Sequence, residues 1–485
     1  MSFARRLLPG LLILALGLGH WAGLRPGHEW GDDFALYLLH ARNLVEGRPY
    51  AQTGYLYNPH YPSIGPPTYP PVTPLLLAPV YAAAGLNLAA MKLVMIGCFV
   101  VFLGMAYLVF CGSLGPPRSA LLVALLGLNW YFLRQSNTIG SDAPFLAFLY
   151  LAIFLFDKAE RAAKGSLAEW LLPLGAGVAA YLAFGARSLG ALLVVGMVIR
   201  AVLNRRTAFL TLVALVPFGA LAAVQNRLVH SDLGYLDQLG AGPGVLAQHA
   251  AWYAERLAAF WSNGRWPLPA ILLAAATMLL ALLGFAQRVR KQIGVVEIFA
   301  VLYVVAILLW PSYEAERYLF PVIPLWLFYA FCGLDHPWFA RARKAILGLL
   351  LVAAALCYAG RYAALDWGPL PHGVHTPEAR DLFRAIADRT RPDDLVLFAK
   401  PRAMALMTRR PSAAPQVTAG DEELSAYIRS IGAAYVVVTN RDGVLGRADN
   451  PSLSAFLRAY VARHPDQFSP VCSNADFTLY RMRSR

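Results

Sequence analysis

The sequence predicts a polytopic α-helical membrane protein of about eleven transmembrane helices with a C-terminal extracytoplasmic α/β domain. Three observations predict it. Of 485 residues, 58% are hydrophobic and only 14% charged, and the mean hydropathy is +0.50, too apolar for a soluble enzyme. Apolar runs of bilayer-crossing length recur from residue 7 to residue 363. Beyond 364 the pattern changes to charged helical stretches alternating with short β-type runs.

The runs place spans at about 7–24, 87–110, 119–133, 143–156, 167–184, 188–203, 207–228, 267–286, 294–311, 318–334 and 345–363. The first follows Arg5 and Arg6, as a secretory signal would. Its end, Gly-His-Trp-Ala-Gly, lacks a small-residue cleavage site, so it is expected to be retained.

Charge sets the orientation. With the N-terminus inside, the inner loops carry Arg118; Lys158, Arg161 and Lys164; Arg205 and Arg206; Arg288, Arg290 and Lys291; and Arg341, Arg343 and Lys344. The outer loops are then 25–72, 134–142, 229–266 and 312–317, together with the tail. A net charge of +14 spread through short loops serves orientation and excludes nucleic acid as a partner. Five cysteines show no zinc-site spacing and no disulfide framework.

The expected domains are a transmembrane module, 1–363, whose first outer loop (25–72) carries the active site, and an extracytoplasmic α/β domain, 364–485. In the latter, TPEARDLFRAIADRT reads as helix and DDLVLFAK, AAYVVVTN and FTLYRM as strands. It shows neither a Gly-rich phosphate loop nor triad spacing, and reads as a structural or acceptor-guiding cap.

In the first outer loop GDDFALYLLHARNLVEG puts Leu36, Leu39, Ala41 and Leu44 on a helical stripe, an amphipathic helix at the interface. Asp32 and Asp33 stand at its positive dipole end. One cap needs one carboxylate, so two adjacent acids exceed structural need. Asp142 stands at another outer edge. Prolines 59, 62, 66, 67, 70, 71 and 74 should hold the rest of the loop extended. Tyr55, Tyr57, Tyr61 and Tyr69 can line a sugar or sit at headgroup level. His60 is a candidate base or ligand, although a lone loop histidine is more often neither.

On these motifs the chain resembles the GT-C superfamily of membrane glycosyltransferases, in the branch of bacterial protein O-mannosyltransferases and lipid A aminoarabinose transferases. There an Asp opening the first interfacial helix is followed four residues on by Tyr and nine on by Arg; Asp33, Tyr37 and Arg42 fit. The second acid that often follows is replaced by Phe34, with the extra acid before at Asp32, leaving the base open between Asp32 and Asp33. Tyr69-Pro70-Pro71-Val72 is similar to a basic-or-His-Pro-Pro-Leu turn, Asp142 in SDAPFLAFLYLAIF to an acid opening the fourth span, and EAERYLFPVIPL (314–325) to an Arg-Tyr-hydrophobic-Pro element near the lipid-linked donor. The tail resembles an appended periplasmic domain.

The resemblance implies transfer of a monosaccharide from a polyprenyl-phosphate donor to a lipid, glycan or protein hydroxyl, with inversion, at the periplasmic face of a bacterial inner membrane. Such transfer needs a base on the acceptor and cations on the departing phosphate. Asp33 is the expected base with Asp142 beside it, and Arg317, Arg187 and Arg134 are the phosphate candidates. A divalent cation, magnesium or manganese, held by Asp32, Asp33 or Asp142 would serve the same end. The rival readings are a transporter or flippase of lipid-linked sugar, whose ionisable groups would cluster at the midplane, and a non-catalytic assembly subunit.

Overall fold

Small polar residues punctuate the chain. Asn87, Asn129, Ser166, Asn204, Thr376 and Asn450 each accept a backbone N–H at the start of a helix. The structure, a computed structural model, describes residues 3–59, 61, 64–229, 243–262, 267–310, 315–415, 420–446 and 450–483. In chain order the helices of the first part are α1 (Phe3–Ala22), α2 (Asp32–Glu46), α3 (Val72–Ala84), α4 (Leu88–Leu114), α5 (Pro116–Gly127), α6 (Trp130–Ser136), α7 (Asp142–Arg161) and α8 (Leu167–Ala186). There follow α9 (Ala191–Leu203), α10 (Arg205–Leu228), α11 (Pro243–Trp261), α12 (Pro267–Lys291), α13 (Val295–Leu309), α14 (Val322–Gly333) and α15 (Arg343–Ala363).

Among the described residues five helices, α4, α8, α10, α12 and α15, are long and apolar enough to cross a membrane. Five shorter apolar helices accompany them. The bundle closes at small residues. A Cβ on Gly177 of α8 would lie 2.0 Å from the Ala214 carbonyl of α10, and one on Gly284 of α12 would lie 2.0 Å from the Tyr329 carbonyl of α14. Backbones meet directly where those glycines stand.

Readings of two segments before α7 change first. The single span expected over 119–133 is two helices: α5 ends at Gly127 and α6 begins at Trp130. Asn129 makes the break, capping α6 while its amide donates to the Phe260 carbonyl at 2.9 Å and the Tyr358 hydroxyl at 3.0 Å. The outer loop is extended only to Pro71, because α3 begins at Val72 and holds Pro74 in its first turn, where a missing N–H costs little.

The tail has α16 (Pro377–Arg389), β2 (Leu395–Leu397), α17 (Pro401–Thr408), β3 (Ser412–Ala413), α18 (Asp421–Ser430), β4 (Ala433–Thr439), α19 (Pro451–Arg463), β5 (Phe468–Ser473) and β6 (Phe477–Met482). With β1 (Tyr55–Leu56) of the outer loop they build one sheet in the order β1-β3-β2-β4-β6-β5. Strands β1, β3, β2 and β4 run parallel, and β6 and β5 join antiparallel. The outer loop thus supplies an edge strand, with Tyr55 opposite Ser412. It also inserts Trp30, 1% exposed, between the rings of Phe383, Phe398 and Phe477 at 5.7–5.8 Å.

Helix α2 is not the half-exposed interfacial helix its stripe suggests. Every residue from Phe34 to Asn43 is buried, since α3 covers one side and α17 of the tail another. It stops at Gly47, whose φ of 66° is the left-handed cap a glycine tolerates.

Candidate active site

Two helix starts bring the acids together. Asp33 lies in the first turn of α2 and Asp142 opens α7, where the helix dipole favours a carboxylate. Between them stands Arg317, in the 3-10 turn Ala315–Leu319. Its Nη1 donates to Asp33 Oδ2 at 2.8 Å and its Nε to Asp142 Oδ2 at 3.1 Å. One planar guanidinium therefore bridges both carboxylates, a geometry lysine cannot copy.

Two more arginines close the row. Arg187, in extended backbone after α8, donates to Asp142 Oδ1 and lies 5.2 Å from the Tyr318 ring centre. Arg402 of α17 donates to the Tyr69 hydroxyl at 2.8 Å and to Asp33 Oδ1 at 3.4 Å. Tyr69 in turn donates to Asp33 Oδ1 at 2.7 Å, and Gln135 to Asp142 Oδ2 at 2.8 Å. The order is Arg402, Asp33, Arg317, Asp142, Arg187, three cations alternating with two anions.

Burial pushes the Asp33 carboxyl up, but Arg317, Arg402 and the Tyr69 hydroxyl outweigh it and hold it down at about 2. The side chain of Asp33 is 35% exposed, against 2% for Asp142. A solute can reach the first acid and not the second.

Histidines position the parts. His40 of α2 donates from Nδ1 to the Tyr50 carbonyl at 2.9 Å and accepts the Tyr69 N–H on Nε2 at 3.2 Å. It is thereby held as one tautomer and ties the loop carrying Tyr69 to the helix carrying Asp33. Burial lowers its pKa to about 4. His28, stacked on Phe34 at 3.9 Å, accepts the Ile139 N–H at 3.0 Å just ahead of Asp142.

The sequence-derived candidates divide. Asp33, Asp142, Arg317, Arg187 and Tyr69 meet in the row, and Tyr37 adjoins it, its ring 4.9 Å from that of Tyr69. Asp32 faces elsewhere: Oδ1 accepts the Ala403 N–H at the start of α17 at 3.2 Å, and Oδ2 is buried without a partner. Burial accordingly raises its pKa. Arg134 pairs with Glu316 at 2.8 Å. Arg42 sits nine residues along α2 from Asp33, roughly 13 Å along the axis, buried near Glu46 and Tyr81. Tyr57 is half-buried beside Tyr55. Rather than forming sugar walls, Tyr55 and Tyr69 sandwich Arg402, their ring centres 4.8 and 5.0 Å from its guanidinium carbon. His60 and Glu314 lie outside the described residues.

Arg402 and Gln135 are the residues the sequence reading missed. Arg402 is 369 positions from Asp33, in a tail without a catalytic motif, and only the fold brings it near. A cation cage is not what these residues make. Among the described residues no group of three or more His, Cys, Asp or Glu could hold a metal ion, and the Oδ2 atoms of Asp33 and Asp142 already accept from Arg317. A metal between them would have to displace a guanidinium.

This fold is that of the GT-C membrane glycosyltransferases. ArnT from Cupriavidus metallidurans, in a crystal structure bound to undecaprenyl phosphate, matches with a TM-score of 0.60 at 14% identity over 97% of both chains. Oligosaccharyltransferase AglB from Archaeoglobus fulgidus, in complex with an inhibitory peptide and a dolichol-phosphate, matches at 0.59 and 13% identity over 90% of this chain and 70% of its own. Another structure of the Archaeoglobus enzyme is a complex with zinc and sulfate (TM-score 0.55, 14% identity, 88% and 68% covered). Arabinofuranosyltransferase AftD from Mycobacteria matches at 0.59 and 13% identity over all of this chain and 42% of its own. No protein-family profile and no curated protein matches the sequence.

Proposed function

We propose that this chain is a polyprenyl-phosphate-dependent glycosyltransferase of a bacterial inner membrane. It moves a monosaccharide to an envelope acceptor hydroxyl on the periplasmic face, with inversion. It crosses the bilayer about eleven times with the N-terminus inside, as the basic inner loops require. The observation that carries the reading is Arg317 held between Asp33 and Asp142, with Arg187 and Arg402 on either side. That arrangement joins a carboxylate reachable from outside to a cluster of cations suited to phosphate.

Asp33 takes the acceptor proton while the acceptor oxygen forms its bond to the anomeric carbon. The bond from that carbon to the phosphate oxygen breaks, and its electron pair leaves with the polyprenyl phosphate. Arg317 and Arg187 receive the charge that develops there. Asp142, buried between these two arginines, is a positioning residue: it holds their forks toward the phosphate. An Asp33 held at about 2 is a weak base at rest. Phosphate competing for Arg317 removes one of the cations that hold it down, so donor binding arms the base. Arg402 and Tyr69 keep its oxygen aimed throughout. No step is routed through a metal, because the facing oxygens are filled by arginine.

The test is transfer by the purified protein in lipid, with labelled polyprenyl-phosphate monosaccharides and extracted envelope acceptors. Labelled sugar on acceptor, with release of polyprenyl phosphate, is the expected result. Donor crossing the bilayer uncleaved would establish the transporter instead.

A further inference from the structure

The end of the tail sheet away from the catalytic row holds a groove of about 800 Å³, where β2, β4 and β5 begin and β6 ends. Five arginines line it: Arg389, Arg391, Arg429, Arg481 and Arg483. None pairs with a carboxylate among the described residues. Arg389 donates to the Val471 carbonyl and Arg483 to the Ser469 hydroxyl, both at 2.6 Å, neutral acceptors that orient the forks and leave the charge standing. Three other arginines of the tail are neutralised: Arg441 by Asp476 at 2.7 Å, Arg463 by Asp421 at 2.6 Å, and Arg458 by Asp442. Two aspartates, Asp388 and Asp394, also line the groove, and Asp394 is engaged by the Arg391 backbone N–H at 2.7 Å. A net positive concavity remains.

We propose that this groove docks an anionic glycan, bearing phosphate or carboxylate groups, that forms part of the acceptor. Arginine forks match both anions bidentately. A membrane surface fits worse. β2 connects the two ends of the sheet: Asp394 precedes it at the groove, and Arg402 follows it at the catalytic row, on the side of the sheet that packs against α2. Beyond Trp367, moreover, no described large hydrophobic side chain is exposed to insert into lipid. The acceptor role rests on the glycosyltransferase reading, whereas binding of the glycan does not.

The full chain in nanodiscs is titrated with oligogalacturonate, with a phosphate-bearing lipopolysaccharide core oligosaccharide and with neutral dextran. At least one anionic probe binds, more weakly as salt rises. Arg429→Glu with Arg481→Glu weakens it roughly tenfold or more, and the double lysine variant, which keeps the charge and loses the fork, falls between the two. Both arginines are exposed, so the fold is left intact, which an unchanged melting temperature verifies. Binding unaffected by the charge reversal, equal binding of dextran, or capture of phosphatidylglycerol vesicles with neither oligosaccharide bound overturns the proposal. Asp33→Asn should bind the probes normally. Probe binding without any transfer would therefore sink the enzyme reading and leave the groove, and transfer without probe binding would do the reverse.

Discussion

Arg317 is the residue on which the site turns, because one guanidinium holds two carboxylates that would otherwise repel. The three acids should then separate in their variants. Asp33→Asn removes the base and should lower transfer about 10²–10⁴-fold. Asp142→Asn should lower it less, through loosened arginines. Asp32→Asn keeps an acceptor for the Ala403 N–H and should leave transfer near normal. Single-turnover rates on folded proteins check the order, and a dead Asp32→Asn with an active Asp33→Asn would reverse the assignment.

Proton linkage tests the same residue. Asp33 in the free protein is depressed to about 2, so it stays ionised until the pH falls that far. When phosphate takes Arg317 the carboxyl rises, and protonation begins at higher pH. The acid limb of kcat, which reports the loaded enzyme, should therefore lie above the acid limb of kcat/KM. Coincident limbs would show that donor binding leaves the Asp33–Arg317 pair intact. Both acids were legible because carboxylates at the edge of apolar spans lack a structural reason. Which of Asp32 and Asp33 faces the arginines was not, since adjacent helical residues point about 100° apart and only packing selects one.

At the scale of elements, α2 and the loop after it are joined by a neutral histidine. His40 has an ordinary value of 6.5 unfolded and about 4 folded. The folded form resists protonation, so this stability is fully present above 6.5 and is lost as the pH falls through 4. Thermal melts between those values should steepen in their pH dependence relative to His40→Gln, and parallel curves would exclude the link. The crossing of α12 with α14 makes a second prediction. Gly284→Leu forces a side chain where the Tyr329 carbonyl lies 2.0 Å from a Cβ, and should cost at least about 1–3 kcal/mol. Leu at Gly104, which meets nothing within 4 Å, is the control. The break at Asn129 was hidden in the sequence, because an apolar run reads the same through a kink whose partners, Phe260 and Tyr358, lie far along the chain.

At the scale of the molecule, the outer loop and the tail share one sheet and one aromatic core, through Tyr55 with Ser412 and Trp30 among three phenylalanines. The tail thereby delivers Arg402, fully buried, to Asp33. Arg402→Gln should lower kcat more than it raises KM for the donor, and Arg402→Lys should restore part of the loss. A variant altered only in melting temperature would make Arg402 purely structural.

Composition and hydrophobic pattern by themselves determined that this chain is mostly helical and carries helices long and apolar enough to cross a membrane, because so much apolar surface leaves few alternatives. Position at the edges of apolar spans singled out the Asp32–Asp33 pair, Asp142, Arg187 and Arg317, since ionisable groups beside lipid need partners, and the family resemblance added Tyr69. The tertiary structure alone decided who those partners are. It turned Asp32 to the α17 backbone and Arg134 to Glu316, and brought Arg402 across 369 positions. A carboxylate selects its cation by distance and direction in space, and the order of residues along a chain encodes neither.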